Sequence, residues 1–440
     1  MALGGGVWLS QNKVLPGAYI NFVSASRASA TLSDRGYAAL PLALNWGPEN
    51  EVITLDGGDI QKSSFDLLGY AYTNPELQSL REIFKGAKTV YLYRVNSGGD
   101  KATATSGNLT TTAKYGGIRG NDIKIVIQVN IDDENKFDVM TYVGTKLVDT
   151  QLAATVADLS ANGFVTFSGT GALAAAAGVA LAGGTNGTAT GDSYSAFLDA
   201  IEAYSFNILA YAGTDDLIKD LFVQFSRRLR DDHGVKFQAV LYRYNTADYE
   251  GVISVENKVM DAGTNEAALV YWVAGQEAGC AVNRSLTNMV YGGEYIIDTA
   301  HKQSALETGL KAGKLMFHQV GDSVRVLDDI NTFVSYTDDK NEDFSNNQVI
   351  RVLDQIGNDI AVLFNTKYLG KVQNNEAGRV AFWSDLVTYH TELQRVAAIE
   401  NFTAEDITVD KGMDKKSVVV NDYVTPVSVM AKLYMTVIVE

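Results

Sequence analysis

The sequence has few of the residues that disulfide frameworks and metal centres require. It contains one cysteine, Cys280, and four histidines, at positions 233, 301, 318 and 390. A single cysteine cannot form an internal disulfide, and the histidines show no metal-ligand spacing. We therefore expect neither a disulfide scaffold nor a metal site, and the cysteine content fits a reducing cytoplasm.

Basic residues and long apolar runs are also scarce. The chain has 36 Lys and Arg against 52 Asp and Glu, a formal net charge of −16. Phosphate binding requires a concentrated basic surface, so this balance argues against nucleic acid and anionic membranes as partners. The longest apolar stretch, residues 172–182, is about half of a membrane span, and the N-terminus shows no secretory signal. The sequence predicts a soluble protein.

Motifs of enzyme chemistry are absent or incomplete. There is no Gly-x-Ser-x-Gly elbow, His-Glu-x-x-His helix or EF-hand loop. Gly309–Lys314 approaches a phosphate loop, but its glycine spacing is one residue short and Leu315 replaces the required hydroxyl residue. Gly169–Ala174 matches a loose dinucleotide pattern without a following βαβ unit. We expect no cofactor and no enzyme activity, with an α/β hydrolase as the alternative.

The length and composition predict several folded domains. At 440 residues with 46% hydrophobic and 20% charged residues, the chain is globular and too long for one typical core. Residues 1–25 combine glycines with the β-like run 18–23 and predict an N-terminal arm. The alternative is a terminal strand that pairs within its own domain.

Three further segments differ in their patterns. Residues 26–95 hold strand-like pieces and a helix that begins at Asn74-Pro75 and ends at Gly86, which we expect to be left-handed. Residues 96–192 are rich in Gly, Thr, Ala and Asn with short β-like runs, which predicts an inserted β-sandwich. Residues 193–330 alternate helix and strand, which predicts an α/β domain with a mainly parallel sheet.

The last part of the chain carries two amphipathic helices, near 349–363 and 376–398, within a segment that we place at 331–420. Residues 421–440 then form a predicted C-terminal strand arm. Its odd positions are all apolar, so the strand has one apolar face that must be covered or paired. These positions are Val427, Val429, Ala431, Leu433, Met435, Val437 and Val439.

From about residue 330 the chain carries a collinear series of short runs: Asp328–Thr332, Val349–Asp354, Tyr368–Asn374, Asp406–Asp410 and Lys432–Val439. No single run is diagnostic, but their order and spacing resemble the conserved C-terminal region of the phage tail sheath proteins. Residues 16–22 and 46–48 are similar to the family's opening segment.

The resemblance implies an α+β and α/β multidomain fold. A discontinuous core domain would combine 26–95 with 331–420, and the chain would also hold the β-sandwich, a subtilisin-like α/β domain and extended terminal arms. It further implies a subunit that polymerises as stacked hexameric rings in a helix around a tail tube and contracts to drive that tube through a cell envelope. The implied partners are further copies of itself, the tail tube protein, and baseplate and tail terminator proteins.

The resemblance also implies where the subunit resides and which residues link it to its neighbours. The subunit would be assembled in the host bacterial cytoplasm and reside in the tail of a phage or of a headless bacteriocin-like particle, two alternatives that stay open. Both arms would join the core sheet of neighbouring subunits by strand exchange. The residues expected to carry this exchange are Tyr19, Ile20, Phe22, Val427, Val429, Leu433, Met435, Val437 and Val439.

Overall fold

The computed structural model describes residues 32–439, which form two compact units. The larger unit comprises residues 34–357 together with 426–439, and the smaller unit comprises residues 32–33 and 358–425. No helix within residues 32–439 is long and apolar enough to cross a lipid bilayer.

The larger unit contains most of the strands and helices, in four stretches of the chain. The first stretch holds β1 (Tyr37–Leu42), β2 (Val52–Asp56), α1 (Ile60–Leu68), α2 (Gln78–Ile83) and β3 (Thr89–Arg94). The second holds β4 (Thr103–Ser106), β5 (Leu109–Ala113), β6 (Ile123–Val129), β7 (Phe137–Val143), β8 (Lys146–Ala153), β9 (Val165–Gly169) and β10 (Ala176–Ala180). The third holds α3 (Gly191–Ile201), β11 (Ile208–Tyr211), α4 (Asp216–Arg227), β12 (Gln238–Tyr242), β13 (Val252–Val255), α5 (Leu269–Gly279), α6 (Gln303–Lys311) and β14 (Lys314–Leu315). The fourth holds β15 (Phe317–Val320), β16 (Ser323–Val326) and the start of α7 (Asn347–Leu363).

A seven-stranded sheet with helices on both faces forms the centre of this unit. Its strand order is β14-β13-β12-β11-β1-β3-β2, with parallel neighbours throughout except for the antiparallel edge strand β2. All five residues of β12 and all four of β13 are buried, as expected for parallel strands covered on both sides. Helices α3 and α4 pack on one face, and α1, α2 and α5 pack on the other. The predicted parallel α/β sheet is thus present.

The sheet differs from the prediction in which parts of the chain build it. Residues 26–95 and 193–330 were expected to belong to different domains. In the structure β1 pairs in parallel with both β3 and β11, so strands from the two segments share one sheet. The four middle residues of β1 are buried, which fits a central strand that is covered by helices on both faces and paired on both edges.

Helix α5 is almost wholly buried, with nine of its eleven residues inaccessible. It lies against α2 at a contact of glycines: a Cβ on Gly86 would lie 2.4 Å from the Gly275 carbonyl oxygen. Gly86 is not in the left-handed conformation expected from the sequence. It is required instead because the two backbones approach too closely for any side chain.

This glycine contact yields a stability prediction. We expect Gly275→Ala to lower the free energy of unfolding by about 1–3 kcal/mol, the usual cost of overpacking. The added Cβ would lie 2.0 Å from the Ile83 carbonyl oxygen, and neither backbone can easily move. Urea unfolding of the unassembled chain measures the change. Gly292→Ala is the matched control, because a Cβ there meets nothing within 4 Å; equal destabilisation by both variants would contradict the argument.

The second stretch of strands folds into the predicted β-sandwich. One sheet has the order β10-β6-β7-β8 and the other the order β4-β5-β9, and their inner faces share one apolar core. The alternating Ile123, Ile125 and Ile127 of β6 supply part of that core. Thr103 and Ala182 exchange two backbone hydrogen bonds, of 2.8 and 3.0 Å. The chain therefore enters and leaves this module at one point, as an insertion does.

The smaller unit consists of the end of α7, α8 (Glu376–Arg395), and the strands β17 (Ile407–Lys411) and β18 (Val418–Asp422). The two strands form an antiparallel hairpin that is separate from the large sheet. Ile407 and Leu386 are buried in a small core between the hairpin and the helices. Trp383 Nε1 of α8 donates a hydrogen bond of 3.0 Å to the Ile407 carbonyl oxygen.

Candidate self-association site

The C-terminal segment, residues 427–439, is the largest apolar stretch that the structure leaves exposed. Leu433 is 84% exposed, Met435 and Val437 are each 72% exposed, and Val439 is 89% exposed. The even positions Met430, Tyr434 and Ile438 are exposed as well. Both sides of this segment therefore face outward, whereas soluble monomers rarely expose a contiguous apolar surface of this kind.

The backbone of this segment is also unpaired. The alternating pattern predicted a strand over 427–439, but no strand is assigned there in the single chain. The reason is that a strand needs a partner ladder, and within residues 32–439 none is aligned with this segment. Its apolar side chains and unpaired backbone leave it able to associate with another strand. The other predicted exchange residues, Tyr19, Ile20 and Phe22, lie outside the described residues.

The hairpin β17–β18 is the sheet of the 331–420 region. Its register pairs Ile407 with Asp422 and Val409 with Val420. The Tyr423 N–H donates to the Asp406 carbonyl oxygen on one side of this register, and the Gly412 N–H donates to the Ser417 carbonyl oxygen on the other.

The alternation of an antiparallel ladder then directs the N–H and C=O of Val420 away from β17. At the other edge, the Ile407 carbonyl oxygen of β17 is occupied by Trp383. Among the described residues, the outward backbone groups of β18 have no hydrogen-bond partner. The free edge of the hairpin is thus β18, which is a row of backbone donors and acceptors able to take a further strand.

The end of β18 lies close to a buried histidine of α8. His390 Nε2 lies 2.9 Å from an Asp422 carboxylate oxygen, and His390 Nδ1 lies 2.9 Å from the Leu386 carbonyl oxygen. The imidazole is fully buried and stacks on Phe402. The end of the hairpin therefore packs closely against the helix at this residue.

A buried charged cluster lies in the larger unit, where α5, the loop before α7 and α7 itself meet. The Arg351 guanidinium donates to Glu277 at 2.5 Å and lies 3.3 Å from Asp329. Asp329 also accepts from the Leu286 N–H at 2.9 Å and from Asn347 Nδ2 at 2.9 Å. The Asp328–Thr332 run, which carries part of the family resemblance, therefore has a structural role here.

The two carboxylates of this cluster differ in their affinity for protons. Burial, reinforced by the neighbouring Asp329 charge, raises the pKa of Glu277 to about 8. Burial acts in the same direction on Asp329, but Arg351 and hydrogen bonds from Glu277 and Leu286 bring the pKa of Asp329 below its ordinary value. At neutral pH the cluster therefore holds one proton on Glu277, which donates it to the ionised Asp329.

This cluster was not predicted from the sequence. The sequence does contain a hint of it, because the charged residues Arg351 and Asp354 interrupt the apolar pattern of the helix near 349–363. Polar residues of an amphipathic helix ordinarily face solvent, however, so the pattern alone does not indicate their burial.

The proton on Glu277 gives a pH prediction. The unfolded chain loses this proton near pH 4.5, whereas the folded chain keeps it up to about pH 8. Stability is therefore fully present below pH 4.5 and is lost as the pH rises through 8. A glutamine side chain cannot ionise and can still donate to Asp329, so Glu277→Gln should flatten the decline in unfolding free energy between these pH values. Thermal unfolding across pH 4.5–8.5 measures it.

The control for this pH series is Glu307→Gln, a change at an exposed position of α6. It should leave the pH dependence of the parent chain unaltered. If Glu277→Gln follows the parent curve as closely as the control does, Glu277 does not carry the proton.

The other histidines of the described part of the chain lie apart from the charged cluster. His301 Nε2 lies 3.2 Å from Asn257 Nδ2, and His390 is occupied as described above. Burial lowers the pKa of His318, which lies within β15. Within residues 32–439, no group of three or more His, Cys, Asp or Glu side chains could hold a metal ion. Two separate features have a capacity for strand pairing: the exposed segment 427–439 of the larger unit and the free β18 edge of the smaller unit.

Comparison with family models covers most of the chain. Residues 35–95 match the tail sheath protein Gp18 domain III N-terminal region, and residues 97–186 match the phage tail sheath protein beta-sandwich domain. Residues 187–332 match the phage tail sheath protein central domain, and residues 339–440 match the phage tail sheath C-terminal domain.

Individual proteins give the same result. The phage-like element PBSX protein XkdK of Bacillus subtilis is 34% identical over an alignment of 468 positions, which covers 99% of each chain. The crystal structure of a sheath tail protein from Desulfitobacterium hafniense superposes with a TM-score of 0.84 at 43% identity, over 93% of this chain and 96% of that one. The helical sheath of the anti-feeding prophage in its contracted state shares the fold, with a TM-score of 0.55 at 12% identity over 96% and 99% of the two chains.

Proposed function

The chain belongs to the phage tail sheath protein family, and we propose that it polymerises as stacked hexameric rings, wound as a helix around a tail tube. In this proposal the polymer shortens and drives the tube through the envelope of a target cell. The tail tube protein, the baseplate and a tail terminator are its further partners. Assembly takes place in the cytoplasm of the host bacterium, and the subunit then resides in the tail of a phage or a bacteriocin-like particle.

The observation that carries the proposal is the exposed, unpaired segment 427–439. Removal of Leu433, Met435, Val437 and Val439 from water gains about 25 cal/mol for each Å² of apolar area. The single chain forgoes this gain, since these side chains are all more than two-thirds exposed. A neighbouring copy that covers them would recover it, and pairing of the backbone would add the hydrogen bonds of a ladder.

The acceptor in this proposal is the β18 edge of a neighbouring copy. A segment that joins an edge elsewhere on an identical molecule makes a heterologous contact, which does not close on itself as a two-fold contact does. Repetition of one such contact therefore builds a ring or an open helix. The N-terminal residues Tyr19, Ile20 and Phe22 are proposed to extend the same sheet, as the family resemblance implies.

The α/β part of the chain acts as a scaffold in this proposal. Its likeness to the subtilisin fold is an implication of the family and gives no support for proteolysis, because activity depends on a site rather than a fold. Contraction would then need no fuel molecule: a small gain in contacts per subunit is multiplied over all the subunits that move together.

The apolar face of the segment can be tested with a matched pair of charges. Met435→Asp puts a carboxylate on the face proposed to be buried, whereas Thr436→Asp puts it on the opposite face of the same extended segment. We expect Met435→Asp to abolish tubes in electron micrographs and Thr436→Asp to retain them, because an unpaired buried charge costs several kcal/mol.

Deletion of 427–440 removes the whole segment. We expect subunits that are folded, as judged by circular dichroism, but form no tubes in electron micrographs. Normal tubes from the truncated chain would overturn the role of the segment.

The acceptor edge has its own test. The Val420 N–H points away from β17, so Val420→Pro removes a donor from the free edge and leaves the β17–β18 ladder intact. We expect folded subunits with an unchanged melting temperature that fail to form tubes. Val419→Pro serves as the contrast, because its N–H points into the ladder and its loss should lower the melting temperature. Tubes formed by Val420→Pro at the parent concentration would rule out β18 as the acceptor.

A further inference from the structure

The C-terminal segment is joined to its own chain at one point. The Val429 N–H donates a hydrogen bond of 3.1 Å to Gln348 Oε1. Among the residues that the structure describes, this is the hydrogen bond that connects 427–439 to the rest of the chain. Exposure rises sharply beyond it, from 40% at Val429 to 102% at Met430.

Gln348 is itself held firmly. It lies in the first turn of α7, is 1% exposed, and donates its own N–H to Asn346 Oδ1 at 2.8 Å. Its neighbour Asn347 donates to Asp329, and Arg351 lies one turn further along the helix within the buried charged cluster. The acceptor for Val429 therefore belongs to a part of the unit that packing and charge fix in place, and an uncharged amide is directed at the segment from there.

We propose that Gln348 is a positioning residue that anchors the root of the C-terminal segment at Val429. Only residues 430–439 then leave the parent subunit to pair with a neighbour. This inference rests on the proposed strand exchange and sharpens it, because it divides the predicted exchange residues into two groups. Val427 and Val429 belong to the root, whereas Leu433, Met435, Val437 and Val439 belong to the part that exchanges.

The length of the free part agrees with this division. Ten extended residues reach about 33 Å from the anchor. The acceptor β18 has five residues, and a partner strand needs the same number. Five of the residues 430–439 then suffice for the added strand, and those between it and Val429 span the distance between subunits. An anchor at Val429 therefore leaves a short connection whose reach is narrowly limited.

Loss of the anchor would lengthen that connection toward residue 426 and let the segment sample more conformations. A longer, freer connection lowers the effective concentration of the strand at its acceptor, so assembly requires more protein. A purely structural role for Gln348 makes no such prediction, because it would affect the stability of α7 and not the freedom of the segment.

The experiment compares Gln348→Met with Gln303→Met in the full-length chain. Methionine keeps the length of the side chain and removes the amide acceptor in both variants, but Gln303 is an exposed residue in the first turn of α6 and makes no contact with the segment. Hydrogen exchange of the Val429 amide in unassembled subunits should become about five-fold faster in Gln348→Met, the factor for one lost hydrogen bond. The protein concentration at which tubes appear should rise with it. Gln303→Met should stay near the parent in both measurements.

A second variant approaches the same bond from the other side. Val429→Pro deletes the donor at an exposed position without any change in the core, and Val429→Ala retains the donor as its control. We expect the proline variant to raise the concentration required for tubes and the alanine variant to leave it unchanged. The exchange rate of the Ile350 amide in α7 reports whether the helix itself remains intact.

The outcomes separate this inference from the proposed function. Unchanged Val429 exchange in Gln348→Met, or faster exchange with unchanged assembly, overturns the anchor even if strand exchange holds. Failure of the parent chain to form tubes, or normal tubes after deletion of 430–440, overturns strand exchange instead. Because Val429 exchange is measured in unassembled subunits, the existence of the anchor is tested either way.

Discussion

Two buried arginines, through three contacts with carboxylates, hold the first half of α7 in the larger unit, and the arrangement of that unit depends on them. Arg351 binds Glu277 and Asp329, and Arg230 binds both carboxylate oxygens of Asp354 at 2.6 and 2.8 Å. Buried pairs of this kind add little net stability, because desolvation opposes their attraction. Their effect here is on register, since a helix displaced by one residue would leave buried charges unpaired. The first turn of α7, with Gln348, is held in place by the same contacts.

The C-terminal segment differs from the rest of the larger unit because its apolar residues are exposed. The sheets of the larger unit bury their apolar residues, yet the chain keeps seven large apolar side chains of 430–439 in contact with water. An exposed, unpaired apolar segment ordinarily promotes aggregation. In the proposed polymer the same property becomes useful, provided that the segment meets one acceptor and no other. The proposed anchor at Val429 would restrict the pairing in this way, because it limits both the direction and the reach of the segment.

Local pattern in the sequence predicts most elements of this fold but not how they combine. The alternation of helix and strand over 193–330 and the β-rich insertion were predicted correctly, because strand and helix periodicity are local properties. The membership of β1 in the same sheet as β11 depends on partners that lie about 170 residues apart, such as Ala38 and Ile208, and no local signal encodes it. The same holds for Gly86, whose role is set by Gly275 in a distant helix. The anchor at Gln348 joins residues 81 apart through one side chain, so its sequence signal is a single polar residue in a helix.

These features together suggest how the proposed polymer would rearrange: the connection near Val429 would rotate, and the added strand would stay paired with β18. In the proposed polymer, five residues joined to β18 form a ladder of several backbone hydrogen bonds that must break together. The connection that follows Val429 has no hydrogen bond to the described part of its own chain, so rotation of its backbone dihedral angles breaks no such bond. A rearrangement of subunits would therefore be absorbed within this connection, where resistance is least. Neighbouring copies would stay linked while their relative orientation changes, which is the mechanical property that a contracting sheath needs.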